Sequence, residues 1–185
     1  GPADYWQAAS IGQLWRMLAG DAAPPDHLRL VAAMDHCLPA AYAGQCPGID
    51  PRDVFERDLI NVAGAPGGHG DPEYIRRLIN EASARIAICP VIDMAGQAVY
   101  DGRDLPPTPP GYSAEALAVT KATCRDGVAL LACAADADGR RKLTLGGACH
   151  PATVEHFMTV WAPAHGLTGI YGVPARGYAG GYLSD

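Results

Sequence analysis

The sequence predicts an α+β protein in which a helical N-terminal half precedes a smaller mixed half. Apolar residues recur at helical spacing through most of the first hundred residues. Stretches with the alternation of β-strands occur only after a proline-rich segment at residues 101 to 112. Helices that come first, followed by one more helix and then strands, are typical of the α+β class.

The first two helices are predicted from apolar spacing and from the residues that end them. The segment "DYWQAASIGQLWRMLAG" stops at Gly20, and "DHLRLVAAMDHCL" starts after Pro25 and ends before Pro39. The apolar stripe of the first helix consists of Trp6, Ile11, Leu14, Trp15 and Leu18.

The next two helices are predicted from proline at the first turn. The helix "DPRDVFERDLINVAG" opens at Pro51 and ends at Gly64. After the loop "GAPGGHG", the helix "DPEYIRRLINEASARIAI" has Asp71 as its N-cap and Pro72 in its first turn. Its predicted buried face consists of Tyr74, Ile75, Leu78, Ile79 and Ala82.

The proline-rich segment predicts a boundary inside one compact domain. Residues 1–100 form the helical portion, residues 101–112 the connector, and residues 113–185 the second portion. The second portion is predicted to contain a helix capped by Ser113, a buried helix "CRDGVALLACAA", and a turn at "DADGRR". The stretches "RKLTLGG" and "VEHFMTVWA" and the range Gly169–Val173 are predicted to be strands.

Composition excludes several classes of function. The formal net charge is −6, whereas a nucleic-acid-binding protein normally has an excess of basic residues. No apolar run reaches the length of a transmembrane helix, and no signal peptide is visible, so a cytoplasmic protein or a secreted effector-type domain is expected. The six cysteines form no CxxC motif, and neither a metal nor a cofactor is expected.

Cys124 is the first candidate nucleophile. Thr123 is predicted to cap a helix that starts at Cys124, with Asp126 completing an approximate capping box. The N–H groups at a helix start stabilise a thiolate, and the apolar run that follows predicts a buried helix that would hold the sulfur rigidly. The alternative is that Cys124 is a small apolar residue in the core.

His156 is the candidate base. Strand alternation places it on one face with Met158 and Val160, where an imidazole needs hydrogen-bond partners for both ring nitrogens. A histidine satisfied within the core has the same pattern. Together with Cys124, however, His156 predicts a thiolate–imidazole pair.

The segments "SAEALAVTKATCRDGVALL" and "EHFMTVW" together resemble the transglutaminase-like superfamily of papain-fold enzymes. The resemblance covers about residues 112–172 and implies a core with a buried central helix and a small antiparallel sheet. It also implies that Cys124 is the nucleophile and His156 the general base. The following strand, "GLTGIYGVP", lacks the family's aspartate, so Tyr171 or a backbone carbonyl would orient His156.

Two other arrangements of a cysteine site remain open. In the first, "GGAC" and "GVPARGYAGGYL" are similar to other stretches of the same superfamily, which makes Cys149 the nucleophile with a histidine such as His69 or His36. In the second, "GGHG" and "VALLAC" are similar to the caspase-like fold, with His69 and Cys133 as the pair.

Three further features have alternative interpretations. Cys37 and Cys46 flank "LPAAYAGQ" and either pair in an oxidising compartment or are two separate buried thiols. The histidine-rich region of His150, Glu155, His156 and His165 suggests zinc, although strand spacing separates the first and third by about 20 Å. "GAPGGHGD" before a helix predicts either an anion site or, more simply, a turn.

These observations support two functions. The first is a cysteine hydrolase or acyltransferase acting on an amide or thioester of a protein or peptide substrate. Water as the acyl acceptor would give protease, amidase or deamidase activity, and an amine as the acceptor would give transamidation. The second is a non-catalytic protein-binding module on an α+β scaffold, which would explain the absent aspartate.

Overall fold

The computed structural model describes residues 1–107, 113–136 and 138–184. Residues 108–112 of the predicted connector and residue 137 of the predicted "DADGRR" turn therefore lie outside the described residues. The chain divides into two compact units, Gly1–Asp58 and Leu59–Asp185. Among the described residues, no helix has the length and apolar character needed to cross a membrane.

The first unit is helical. A 3-10 turn (Pro2–Asp4) precedes α1 (Tyr5–Ala8) and α2 (Ser10–Ala19), and α3 (Asp26–Tyr42) and the start of α4 (Pro51–Ala63) follow. The single helix predicted for the first segment is broken, because Ala9 has extended backbone angles. The next helix was predicted to end before Pro39, and α3 is interrupted close to that point, at Cys37, whose backbone angles are non-helical; helical backbone then resumes as far as Tyr42.

Close approach of two backbones holds α1 and α2 together. A Cβ atom at Gly12 would lie 1.8 Å from the carbonyl oxygen of Trp6, so only glycine fits there. Elsewhere in the first unit, the Tyr42 hydroxyl donates to the buried Asp58 carboxylate over 2.7 Å. This bond ties α3 to α4.

The helices of the second unit begin as local sequence signals predict. In α5 (Pro72–Ala87) the Asp71 carboxylate accepts hydrogen bonds from two first-turn N–H groups, and in α6 (Ala114–Asp126) the Ser113 hydroxyl accepts one. The two helices pack together. Arg125 links them by donating to the side chains of Asn80 and Ser83 over 2.8 and 2.6 Å.

The strands form one six-stranded sheet in the order β1-β2-β3-β4-β6-β5. Their bounds are β1 (Val91–Met94), β2 (Gln97–Gly102), β3 (Ala129–Ala135), β4 (Arg141–Gly147), β5 (Thr168–Val173) and β6 (Tyr178–Tyr182). β2 and β3 are parallel and the other pairs antiparallel, so the sheet is mixed, not antiparallel as predicted. The α+β class is confirmed, but the hairpin β1–β2 begins in the portion predicted to be helical and ends at Gly102, inside the predicted connector.

A helical segment after β4 contributes to the core of the second unit. It consists of α7 (Pro151–His156), a π-helical stretch (Phe157–Trp161) and α8 (Ala162–Ala164). The prediction of a strand here is wrong. Val154, Phe157 and Ala162 are fully buried in one cluster with apolar residues of β3 and β4, among them Leu131, Cys133, Leu143 and Leu145.

Candidate functional site

Cys124 lies at the end of a helix, not at its start. It occupies the last turn of α6, and its side chain is 5% exposed. Gly127, in left-handed conformation, ends the helix, and its N–H donates to the Cys124 carbonyl. Because the C-terminal end of a helix carries partial negative charge, this position lacks the thiolate stabilisation that the sequence predicted.

The predicted capping role of Thr123 is also wrong. Its hydroxyl donates backwards to the Thr120 carbonyl over 2.8 Å, inside α6. The apolar run after Gly127 is strand β3, so no buried helix begins at Cys124. The Cys124 N–H lies within a helix, where it is part of the helical hydrogen bonding.

His156 is the last residue of α7, and its side chain is half-buried. It therefore does not lie on an alternating strand with Met158 and Val160, which belong to the π-helical stretch. Tyr171 lies on the edge strand β5, with its hydroxyl beside Gly180 and its ring against Tyr182 at 6.4 Å. Within the described part of the chain, Tyr171 makes no hydrogen bond or ring contact with His156.

Cys149 lies in the loop between β4 and α7. Its thiol donates to the Gly146 carbonyl over 3.2 Å. Burial, and then the neighbouring charge of Cys124, raises the pKa of Cys149 to about 12. The structure thus brings together two thiols that the sequence offered as alternative nucleophiles, and Cys149 is protonated at neutral pH.

Gln97 fixes the loop that carries Cys149. Its side-chain amide donates to the Ala148 carbonyl over 2.7 Å, and its carbonyl oxygen accepts from the His150 N–H over 2.9 Å. The two bonds lie on either side of Cys149. Gln97 was not predicted as a site residue, and no local signal marks it because its partners lie more than fifty positions along the chain.

A tight contact between α6 and the end of β4 brings the two thiols close. Gly147 has a φ of +89°, and a Cβ there would lie 2.4 Å from the Val128 carbonyl oxygen and 2.7 Å from Cβ of Thr123. Only glycine allows this approach. The close packing of Thr123 on Gly147 therefore positions Cys124 beside the Cys149 loop.

The two residues of the caspase-like pair, His69 and Cys133, lie in different local environments. His69 is exposed in the loop between two helices, with its ring 5.5 Å from that of Tyr74. Cys133 is buried in β3 as part of the core, and its thiol donates to the Arg103 carbonyl. His36, the other base considered for Cys149, lies in α3 of the first unit.

The structure gathers no metal ligands among the described residues, and it shows a local role for His165 and for Asp71. His165 stacks on Trp161 with ring centroids 3.7 Å apart. No group of three or more His, Cys, Asp or Glu side chains able to hold a metal occurs in residues 1–107, 113–136 and 138–184. At the start of α5 the Asp71 carboxylate already accepts hydrogen bonds from the N–H groups of Glu73 and Tyr74. The loop before α5 is therefore a turn that leads into a capped helix.

An exposed apolar surface on α2 is the other candidate site. The side chains of Leu14, Met17 and Leu18 are 53, 83 and 78% exposed, and we call these three residues the α2 face. The sequence indicated Leu14 and Leu18 as part of an apolar stripe but gave no sign that these two residues are exposed while Trp6, Ile11 and Trp15 are half-buried. Spacing alone does not distinguish an apolar stripe that packs in the core from one that faces solvent.

The chain matches no protein-family model, no curated protein and no solved structure.

Proposed function

We propose that this chain is a non-catalytic protein-binding module on an α+β scaffold and that it binds its partner through the α2 face. The observation that carries this proposal is the exposure of Leu14, Met17 and Leu18. Single exposed apolar side chains are common, but a contiguous group on one helix is typical of an interaction surface. At spacing i, i+3 and i+4, the three side chains lie along one side of the helix.

The opposite side of α2 is anchored, which favours a rigid binding surface. Gly12 lies against the backbone of Trp6, and the Trp15 indole donates to the Ala22 carbonyl over 2.9 Å. A helix held in this way loses little conformational entropy when a partner binds.

The size and chemistry of the α2 face favour a partner with an apolar groove. The face contains no charged residue, so charge complementarity adds nothing to recognition. Three side chains are too few for an interface between flat surfaces, which buries about 800 Å² on each partner. A groove also covers the flanks of the helix, and recognition at i, i+3 and i+4 is the usual pattern for a helix in a groove.

The environment of the thiols supports a non-catalytic function. Cys149 has a pKa of about 12, raised chiefly by burial, and Cys124 is almost completely buried at a helix C-terminus. A nucleophilic cysteine needs an accessible thiolate at neutral pH. Neither residue has the local features of such a thiolate.

Photo-crosslinking from the α2 face tests the proposal. Benzoylphenylalanine replaces Met17 in one variant and Ile88 in a second, because Ile88 is 82% exposed and serves as a matched control. A protein crosslinked from position 17 alone would then be purified and titrated. We expect Met17→Glu to weaken its binding by at least about tenfold, or 1.4 kcal/mol, and Ile88→Glu to leave it unchanged.

Three results of this experiment would overturn the proposal. Equal crosslinking from positions 17 and 88 would show that the α2 face has no special affinity. Crosslinking to a second copy of the chain would replace the grooved partner with self-association. A purified partner whose affinity is unchanged by Met17→Glu would place the binding surface elsewhere.

As a second candidate, we propose cysteine-dependent acyl transfer by a transglutaminase-like site. Its support is the resemblance of about residues 112–172 to that superfamily. The Cys124 thiolate would attack an amide or thioester of a protein or peptide, and His156 would protonate the leaving group. Orientation of the imidazole by Tyr171 is not part of this candidate, because Tyr171 makes no hydrogen bond or ring contact with His156 among the described residues. The rate at which Cys124 is alkylated in the folded chain distinguishes this candidate from the binding module.

A further inference from the structure

Cys37 and Cys46 form a second pair of neighbouring thiols, in the first unit. Their sulfur atoms are 3.3 Å apart and share a hydrogen bond. Cys46 is 2% exposed and Cys37 is half-buried. From this geometry we infer that Cys37 and Cys46 are a site of reversible disulfide formation within the first unit.

The backbone around Cys37 directs its side chain towards Cys46. Cys37 has φ −152° and ψ 54°, which interrupts α3, and Pro39 follows two residues later. After α3 ends, Gly44 adopts a φ of +69° and the Gln45 N–H donates back to the Ala40 carbonyl over 2.9 Å. This turn reverses the chain and places Cys46 beside the kink.

The other side of Cys46 is also held in place. The carbonyl of Pro47 accepts hydrogen bonds from the Tyr5 hydroxyl over 3.3 Å and from the Arg29 guanidinium over 2.9 Å. Both cysteines therefore lie on anchored backbone. A disulfide has a sulfur–sulfur distance near 2.05 Å, so the two sulfurs need to move together by only about 1 Å.

The thiols exchange with an external disulfide in two balanced steps. The Cys37 thiolate attacks one sulfur of oxidised glutathione and displaces one glutathione thiolate. The Cys46 thiolate then attacks the Cys37 sulfur, forms the intramolecular disulfide and displaces the second glutathione thiolate. The two cysteines lose two electrons and two protons, and oxidised glutathione becomes two thiols.

The same environment predicts how the rate depends on pH. Burial, followed by the hydrogen bond with Cys46, raises the pKa of Cys37 to about 12. Because only the thiolate attacks, formation is slow at neutral pH and accelerates as the pH rises. The product is nevertheless favoured, because the sulfurs already lie together in the folded chain.

Tryptic mapping of the full chain tests the inference directly. Folded protein is incubated with oxidised glutathione, then denatured in acid, treated with N-ethylmaleimide and digested. Both cysteines lie in one tryptic peptide, residues 30–52, which contains no other cysteine. We expect this peptide to lose two hydrogen atoms, to escape alkylation, and to return to the dithiol form after treatment with dithiothreitol.

A stability measurement and matched variants complete the test. The disulfide closes a short loop, since the cysteines are nine positions apart, and should raise the Tm by about 5–10 °C. Cys37→Ser and Cys46→Ser should abolish this shift, and Cys89→Ser should retain it. Alkylation of both sulfurs after oxidation, or glutathione on either one as the end product, would overturn the inference even if the variants fail to fold.

Discussion

Replacement of Gly147 most directly tests the packing that brings Cys124 beside Cys149. In Gly147→Ala, the new Cβ would lie 2.4 Å from the Val128 carbonyl oxygen and 2.7 Å from Cβ of Thr123. The backbone also has a φ of +89°, which an L side chain rarely adopts. The substitution therefore combines backbone strain with a clash that no flexible side chain can relieve.

The two effects give an expected magnitude. A left-handed conformation costs an alanine about 1–2 kcal/mol, and overpacking a filled site costs about 1–3 kcal/mol more. We expect Gly147→Ala to lower the free energy of unfolding by about 2–5 kcal/mol. The loss is measured by urea unfolding, and hydrogen exchange of peptides from β4 localises it.

Gly146 provides a matched control one residue away. A Cβ at Gly146 would meet no atom within 4 Å. Gly146→Ala should therefore change the free energy of unfolding by less than about 1 kcal/mol. If the two variants are equally stable, the close contact between α6 and the end of β4 is refuted as the feature that brings Cys124 to Cys149.

Three further substitutions test individual interactions in the second unit. Gln97→Ala removes both hydrogen bonds to the β4–α7 loop, so we expect a loss of about 1–3 kcal/mol in urea unfolding and faster hydrogen exchange in that loop. The buried Thr153 hydroxyl has no hydrogen-bond partner among the described residues. Thr153→Val should therefore stabilise the protein by about 1 kcal/mol. The control Thr159→Val, at an exposed position, should not be stabilised. A destabilised Thr153→Val variant would contradict the assignment of an unpaired hydroxyl at Thr153. Hydrogen bonds from Arg103 lower the pKa of Asp101 in the folded state. The Asp101 carboxylate therefore stabilises the folded state above the unfolded-state pKa, and this contribution is lost as the pH falls through the lower folded-state pKa. Asp101→Asn should destabilise the protein at neutral pH and differ less from wild type near about pH 2, and a difference that does not change with pH would contradict this assignment.

Local signals in the sequence predicted the starts of several elements. Asp71 and Ser113 cap helices because a side-chain oxygen next to a helix start satisfies N–H groups only a few residues away. Strand β4 was also predicted, from its alternating apolar residues. These features depend on near neighbours, so the sequence contains the information needed to find them.

The segment after β4 shows where local patterns are ambiguous. Val154, Phe157, Met158 and Trp161 are spaced as on a helix, but part of the same segment also alternates as in a strand. Pro151 at the first helical position was the signal that favours a helix. The wrong prediction that His156 lies on a strand rests on the alternating pattern, which this part of the segment shares with β-strands.

The run after Cys124 was misassigned for a related reason. A short apolar run fits a buried strand as well as a buried helix. Gly127, which ends α6 in left-handed conformation, was the available sign that a helix stops before this run. The placement of Cys149 beside Cys124 and the contacts of Gln97 depend on pairing between distant segments, so local sequence analysis did not reach them.

The rate at which each cysteine is alkylated in the folded chain tests the central claim, that the protein is a binding module without a catalytic thiol. Iodoacetamide is applied between about pH 6 and 9, and each modified cysteine is quantified by mass spectrometry in wild type, His156→Ala and the control His150→Ala. We expect Cys124 and Cys149 to react far more slowly than in the unfolded chain, with no effect of either histidine variant. Rapid labelling of Cys124 at neutral pH that His156→Ala abolishes and His150→Ala preserves would contradict the claim and support the acyl-transfer enzyme.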